Sequence, residues 1–170
     1  MLNASVLDQY PGVDTDAVQA LLEEKCRQDR HKIIVLDDDP TGVQTVHDVS
    51  VYTDWSYDSI KKGFEEDGKL FYILTNSRGF TVEQTTRAHL EIGETAAKVS
   101  EETGIDYVIV SRGDSTLRGH YPLETELLAR AEEMHRGRAV DGEIICPYFK
   151  EGGRFTIGNV HLSLIHISEP

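Results

Sequence analysis

"DYVIVSRGDSTLRGHYPLE", Asp106 to Glu124, joins a short apolar run, a polar loop and the start of an amphipathic stretch. Tyr107 to Val110 is aromatic or aliphatic throughout and reads as a buried strand. From Leu123 the apolar spacing becomes helical, with Pro122 placed for a first turn. Between the two stand Arg112, Asp114, Ser115, Thr116, Arg118 and His120, interrupted by Gly113 and Gly119. A polar connection from strand to helix accounts for such a loop. So does a socket for a small anionic ligand, and the rest of the chain has to decide.

The same alternation runs through the sequence. "DTDAVQALLEEKCRQ" predicts a helix capped by Asp14, with Val18, Leu21, Leu22 and Cys26 on one face. Strands are predicted at Lys32–Leu36, Val49–Thr53, Lys69–Thr75, in "DYVIV" and in "GEIIC" (Gly142–Cys146). Helices are predicted in "SYDSIKKGFEE", from near Thr81 to Gly104, and in "YPLETELLARAEEMHRG". Strands alternating with helices predict an α/β domain, a mainly parallel sheet flanked by helices. In such a sheet the segments after the strands gather at the carboxyl edge, where open α/β folds form a ligand crevice. Those segments are "DDDPTGVQTVH", "NSRGF", "SRGDSTLRGH" and "PYFKEGGR". The amino ends, such as "EETGID", are plainer and merely charged.

Composition narrows the classes. The chain has 170 residues, 30 acidic and 17 basic, for a net charge of −13. That balance repels nucleic acid and anionic membrane, so neither is an expected partner, and any anion site must be local. Cys26 and Cys146 are too few and too far apart for a disulfide framework or a metal site. With no apolar run near membrane-spanning length and no signal-peptide layout, a cytoplasmic protein is expected. Self-association to a homo-oligomer is compatible with the sequence.

The polar clusters suggest their chemistry. Arg112 and Arg118 are forked donors suited to a carboxylate or phosphate, and Gly113 and Gly119 let backbone amides approach it. Asp114 accepts from a hydroxyl or orients an arginine; Ser115 and Thr116 suit hydroxyl recognition or capping. Asp37, Asp38 and Asp39 end a buried strand, where adjacent acids repel and call for a cation, a donor-rich ligand or solvent. Pro40, Thr41 and Gly42 tighten the turn behind them. Asn76, Ser77 and Arg78 add donors, and His120 adds a pH-sensitive partner. His47 and His120 are too isolated for zinc, and no metal ligand set is expected. No phosphate loop, dinucleotide fingerprint or nucleophile elbow is present. The residues imply a site for a small, hydroxylated, anionic molecule.

Four stretches, "VLDDDPTGVQTVH", "ILTNSRGF", "VSRGDSTLRGHYPLE" and "CPYFKEGGRFTIGNVH", in this order and spacing, closely resemble the four-carbon acid sugar kinases. The resemblance runs from about Lys32 to His161. It implies an enzyme that phosphorylates threonate, erythronate or an oxo-tetronate with ATP and Mg²⁺. It further implies that this chain is the sugar-acid-binding half, and that ATP and Mg²⁺ bind mainly through a separate carboxyl-terminal domain. Asp38, Asp39, Arg78, Arg112, Asp114, Ser115 and Arg118 would then line the substrate pocket, with Asp39 or Asp114 as the base. The expected organisation is a helical segment over 1–30, an incomplete sugar-acid-binding domain over 31–161, and a tail over 162–170. That tail, "LSLIHISEP", reads like translated adapter sequence rather than protein. Without the nucleotide domain that would position ATP and Mg²⁺ beside the acceptor, the fragment alone is expected to be inactive.

Two rivals remain. Asp37, Asp39 and Thr41 fit the DxDx[TV] spacing of a haloacid-dehalogenase-type phosphatase, though "GVQTVH" and "STLRGH" then go unexplained. A non-catalytic sugar-acid-binding module shares the pocket and lacks only the partner domain.

Overall fold

The structure is a computed structural model that describes residues 11–43, 46–114 and 118–163. It divides into two compact units, residues 1–31 and 32–170. The first holds helix α1, Thr15–Gln28, whose start is fixed by the Asp14 carboxylate accepting from Ala17 N at 3.0 Å.

The second unit is built on four parallel strands: β1 (Lys32–Asp37), β2 (Val51–Tyr52), β3 (Leu70–Leu74) and β4 (Tyr107–Arg112), in the order β2-β3-β1-β4. Every pairing is parallel, with Asp37 opposite Leu74 on one side and Arg112 on the other. Helices α2 (Tyr57–Glu65), α3 (Val82–Thr103) and α4 (Leu123–Arg136) connect and follow these strands. The expected mainly parallel α/β architecture is therefore present. The second strand is shorter than its apolar pattern suggested, two residues instead of five.

Alternation along the strands explains the core. Ile34 and Leu36, Phe71 and Ile73, and Tyr107 point to one face, where Ile60 and Phe64 of α2, Ile92, Ala96 and Val99 of α3, and Leu128 of α4 meet them. Phe64 and Phe71 are fully buried; each contributes roughly 1.5–3 kcal/mol by leaving water. Helix α3 is set by a capping box between Thr81 and Gln84 and ends at Gly104, φ 69°. It meets α4 closely: a methyl on Gly93 would lie 2.4 Å from Ala131 Cβ, so small residues fix the spacing.

The fifth strand is a correction. Gly142–Cys146 is not a strand, and Ile144 is 94% exposed. Its apolar core is only Ile144-Ile145-Cys146, and Pro147 has no N–H to extend a ladder. An antiparallel hairpin follows instead, β5 (Arg154–Ile157) with β6 (Val160–Ser163). Gly158, at φ 58°, and Asn159 form its two-residue turn, a recognisable hairpin signal in the sequence. "PYFKEGGR" is thus not delivered to the carboxyl edge by a strand of the sheet. The first residues of the expected tail, Leu162 and Ser163, pair with Phe155 and Arg154; residues 164–170 lie outside the described residues. Among the described residues no helix is long and apolar enough to cross a membrane.

Candidate functional site

Three strands end together and carry their polar loops to one edge. β1 stops at Asp37 because the next backbone groups are used sideways. The Asp37 carbonyl accepts from Thr75 N and Thr75 Oγ1, both at 2.9 Å, and Asp38 N donates to the Arg112 carbonyl at 3.3 Å. β3 turns at Asn76, held in the left-handed region at φ 55°, which asparagine tolerates better than most residues. This turn delivers the short 3₁₀ segment Ser77–Gly79 beneath β1, with Arg78 N donating to the Asp38 carbonyl at 3.2 Å.

Arg78 is the hub. Its guanidinium grips both oxygens of Asp38, Nε at 3.2 Å and Nη2 at 2.8 Å, and its Nη1 reaches Asp39 at 2.8 Å. The Asp38 side chain is only 3% exposed, so the fork compensates for a buried charge. Asp39 is held by the Thr41 hydroxyl and by Thr41 N at 2.8 Å. These Thr41 bonds, with Arg78 behind them, keep its carboxyl below the usual range despite some burial.

Asp37 is different. Its side chain is 3% exposed and its ion pair with Arg112 Nη1 is long, at 3.5 Å. Burial pushes it up to about 6, against the pull of Arg112 and the Asp39 backbone N–H. The turn closes over it so tightly that a methyl on Gly42 would lie 1.5 Å from Asp37 Oδ2, so only glycine fits. Asp39 therefore has the environment of a charged anchor, and Asp37 that of a proton acceptor near neutral pH.

The β4 loop completes the edge. Arg118 Nε donates to Asp114 Oδ2 at 2.6 Å while its side chain stays 67% exposed. Arg112 is about a third exposed. His120 Nε2 lies 2.9 Å from the Phe80 carbonyl and ties this loop to the one after β3. Gly113 and Gly119 sit over two carboxylates: a methyl on either would approach Asp38 Oδ2 and Glu124 Oε2.

The structure thus brings together Asp37, Asp38, Asp39, Thr41, Gly42, Asn76, Ser77, Arg78, Arg112, Gly113, Asp114, Arg118 and His120. Ser115 and Thr116 lie outside the described residues. Two of those brought together have their hydroxyls already engaged. Ser77 is 1% exposed and donates to Glu124 Oε1 at 3.0 Å, and the Thr41 hydroxyl is spent on Asp39.

Sequence reasoning missed the layer below. Ser77, Thr75, Glu124 and His89 form a buried polar chain linking β3 to α4 and α3. Glu124 was legible only as an ordinary first-turn acid, favoured there by the helix dipole. His89 sits among the apolar positions of a long helix and gives no separate signal.

A parallel sheet with charged loops gathered at its carboxyl edge defines a small-ligand-binding α/β domain. Over residues 33–168 the chain matches the family model described as a sugar-binding N-terminal domain, and it belongs to that family. This is the amino-terminal domain of the four-carbon acid sugar kinases. Comparison with curated proteins and with solved structures gave no match.

Among the described residues no group of three or more His, Cys, Asp or Glu is placed to hold a metal ion. The glycines at this edge face the carboxylates of Asp38 and Glu124, which would repel a polyphosphate.

Proposed function

We propose that this chain is the substrate-binding domain of a kinase that phosphorylates a four-carbon sugar acid: threonate, erythronate or an oxo-tetronate. The supporting observation is the match to the sugar-binding family over residues 33–168, which span the whole carboxyl-edge cluster. In this reading Arg112 and Arg118 clamp the ligand carboxylate, while Asp38 and its neighbours take the hydroxyl groups. Arg78 holds Asp38 and Asp39 in place. Asp37 or Asp114 accepts the proton of the attacked hydroxyl. ATP and Mg²⁺ belong to a further domain, and the residues described here bind and orient the acceptor.

The test is calorimetric titration of the full chain with D-erythronate and L-threonate, without ATP or Mg²⁺. Saturable binding that is lost in Arg112→Ala supports the reading. Absence of binding, with p-nitrophenyl phosphate hydrolysis that Asp37→Asn abolishes, would replace it with the phosphatase.

A further inference from the structure

Glu124 stands in the first turn of α4 with its side chain 5% exposed. Burying a carboxylate this far requires donors or cations around it. Its Oε1 accepts the Ser77 hydroxyl at 3.0 Å and lies 3.8 Å from His89 Nε2. His89 is no fixed cation. Its Nδ1 donates to the Thr85 carbonyl at 2.8 Å, and burial holds the imidazole below its ordinary value.

The other oxygen, Oε2, takes no hydrogen bond from a described residue. It faces the glycine pair. A methyl on Gly113 would stand 3.9 Å from Glu124 Oε2 and 3.9 Å from Asp38 Oδ2. A methyl on Gly119 would stand 3.9 Å and 3.3 Å from the same two oxygens. Acceptors from the loop after β1 and from α4 therefore converge beside the two glycines, and at Gly119 the 3.3 Å approach leaves no room for a side chain without displacing Asp38. Arg78 answers the charge of Asp38, and among the described residues no lysine or arginine forms an ion pair with Glu124. Two acceptors converging beside these glycines suit a ligand with neighbouring hydroxyl donors. A phosphate or a second carboxylate would be repelled there.

We propose that Glu124 is a ligand-binding residue of this domain, and that its Oε2, with Asp38 Oδ2, accepts the hydroxyl hydrogens of the sugar acid over Gly113 and Gly119. The inference rests on the sugar-acid reading and adds the residue that distinguishes a polyhydroxy acid from a plain one. A buried acceptor left without its hydroxyl penalises the wrong ligand heavily.

The experiment titrates the full chain by calorimetry with D-erythronate, L-threonate and 4-hydroxybutyrate, which lacks the two internal hydroxyls. The wild-type chain is expected to prefer the better of the two hydroxylated acids by at least about tenfold. Glu124→Gln keeps the shape and an oxygen for Ser77. It should weaken that acid by roughly 10- to 100-fold and leave 4-hydroxybutyrate within about twofold. Gly119→Ala, which puts a methyl beside Asp38 Oδ2 and leaves the Glu124 carboxylate chemically intact, should weaken the hydroxylated acid similarly, and thermal melting of both variants reports folding. Equal loss of all ligands in folded Glu124→Gln, no loss at all, or tight binding of Mg²⁺ alone that Glu124→Gln removes would each overturn the proposal. If the wild-type chain binds none of the acids, the sugar-acid reading falls and this inference with it. If it binds them and Glu124→Gln changes nothing, only this inference falls.

Discussion

The two ends of the parallel sheet both carry charged clusters and use them in opposite ways. At the amino end Asp106 is pinned by Arg136 and by Arg138 at 2.9 Å, and Arg136 also holds Glu132 at 3.0 Å and covers the Tyr107 ring at 4.4 Å. Burial works against the Asp106 carboxylate, yet the two arginines outweigh it and hold the group at about 2. Acids and bases there are matched. At the carboxyl end Asp37, Asp38, Asp39, Asp114 and Glu124 face Arg78, Arg112 and Arg118, so acids are in excess, and Asp37 is pushed up to about 6. Matched charges hold a fold together. An excess of buried acids at the edge where strands end is what a donor-rich ligand would complete.

The largest expected effect separates the two ends directly. Arg78→Ala leaves the 3%-exposed Asp38 without its fork and should cost about 3 kcal/mol or more in urea unfolding. Arg136→Ala should cost only about 1–2 kcal/mol, because Asp106 is 35% exposed and keeps Arg138. Similar losses at both ends would erase the distinction.

Next come two pH signatures of opposite sign. Asp37 is raised from 3.8 to about 6, so the folded state binds its proton more tightly than the unfolded one. Stability from this group is present below pH 4 and falls as pH rises through 6. Asp37→Asn should therefore be more stable than the parent by about 1–3 kcal/mol at pH 8, with the difference vanishing by pH 4. Asp106 is held at about 2, so its contribution is present above pH 4 and is lost as pH falls towards 2. Asp106→Asn should be less stable at pH 7 by about 1 kcal/mol after screening, and equal to the parent near pH 2. Unfolding curves at pH 2, 4, 7 and 8 check both.

Much of this was legible beforehand, and unevenly. The runs "KIIVL" and "LFYIL" predict buried parallel strands, and the loops after the strands fall at one edge by topology alone. "YVIV" predicts the fourth strand but not its burial: β4 is an edge strand, and Val108 and Val110 on its second face are 51% and 43% exposed. "GEIIC" misled because a three-residue apolar run looks the same whether it enters a sheet or lies exposed. The pairing of Asp38 with Arg78, 40 residues apart, is tertiary geometry that no local pattern encodes. Glu124 was hidden by being an unremarkable helix-start acid. Its burial comes from the loops of two other strands.

The smallest expected effect sharpens the picture of Asp39 as an anchor. Thr41→Val removes the hydroxyl bond, should cost about 0.5–1 kcal/mol, and should bring the Asp39 carboxyl back towards its usual range in an NMR titration.

The most direct test of a ligand edge set apart from a structural edge is amide chemical-shift mapping of the full chain during titration with D-erythronate and L-threonate. The prediction is that shifts for the acid that binds concentrate at Asp37–Gly42, Asn76–Phe80 and Arg112–Glu124, while Lys32, Asp106, Arg136 and Arg138 stay still. Shifts confined to the amino end, or none with either acid, would contradict it.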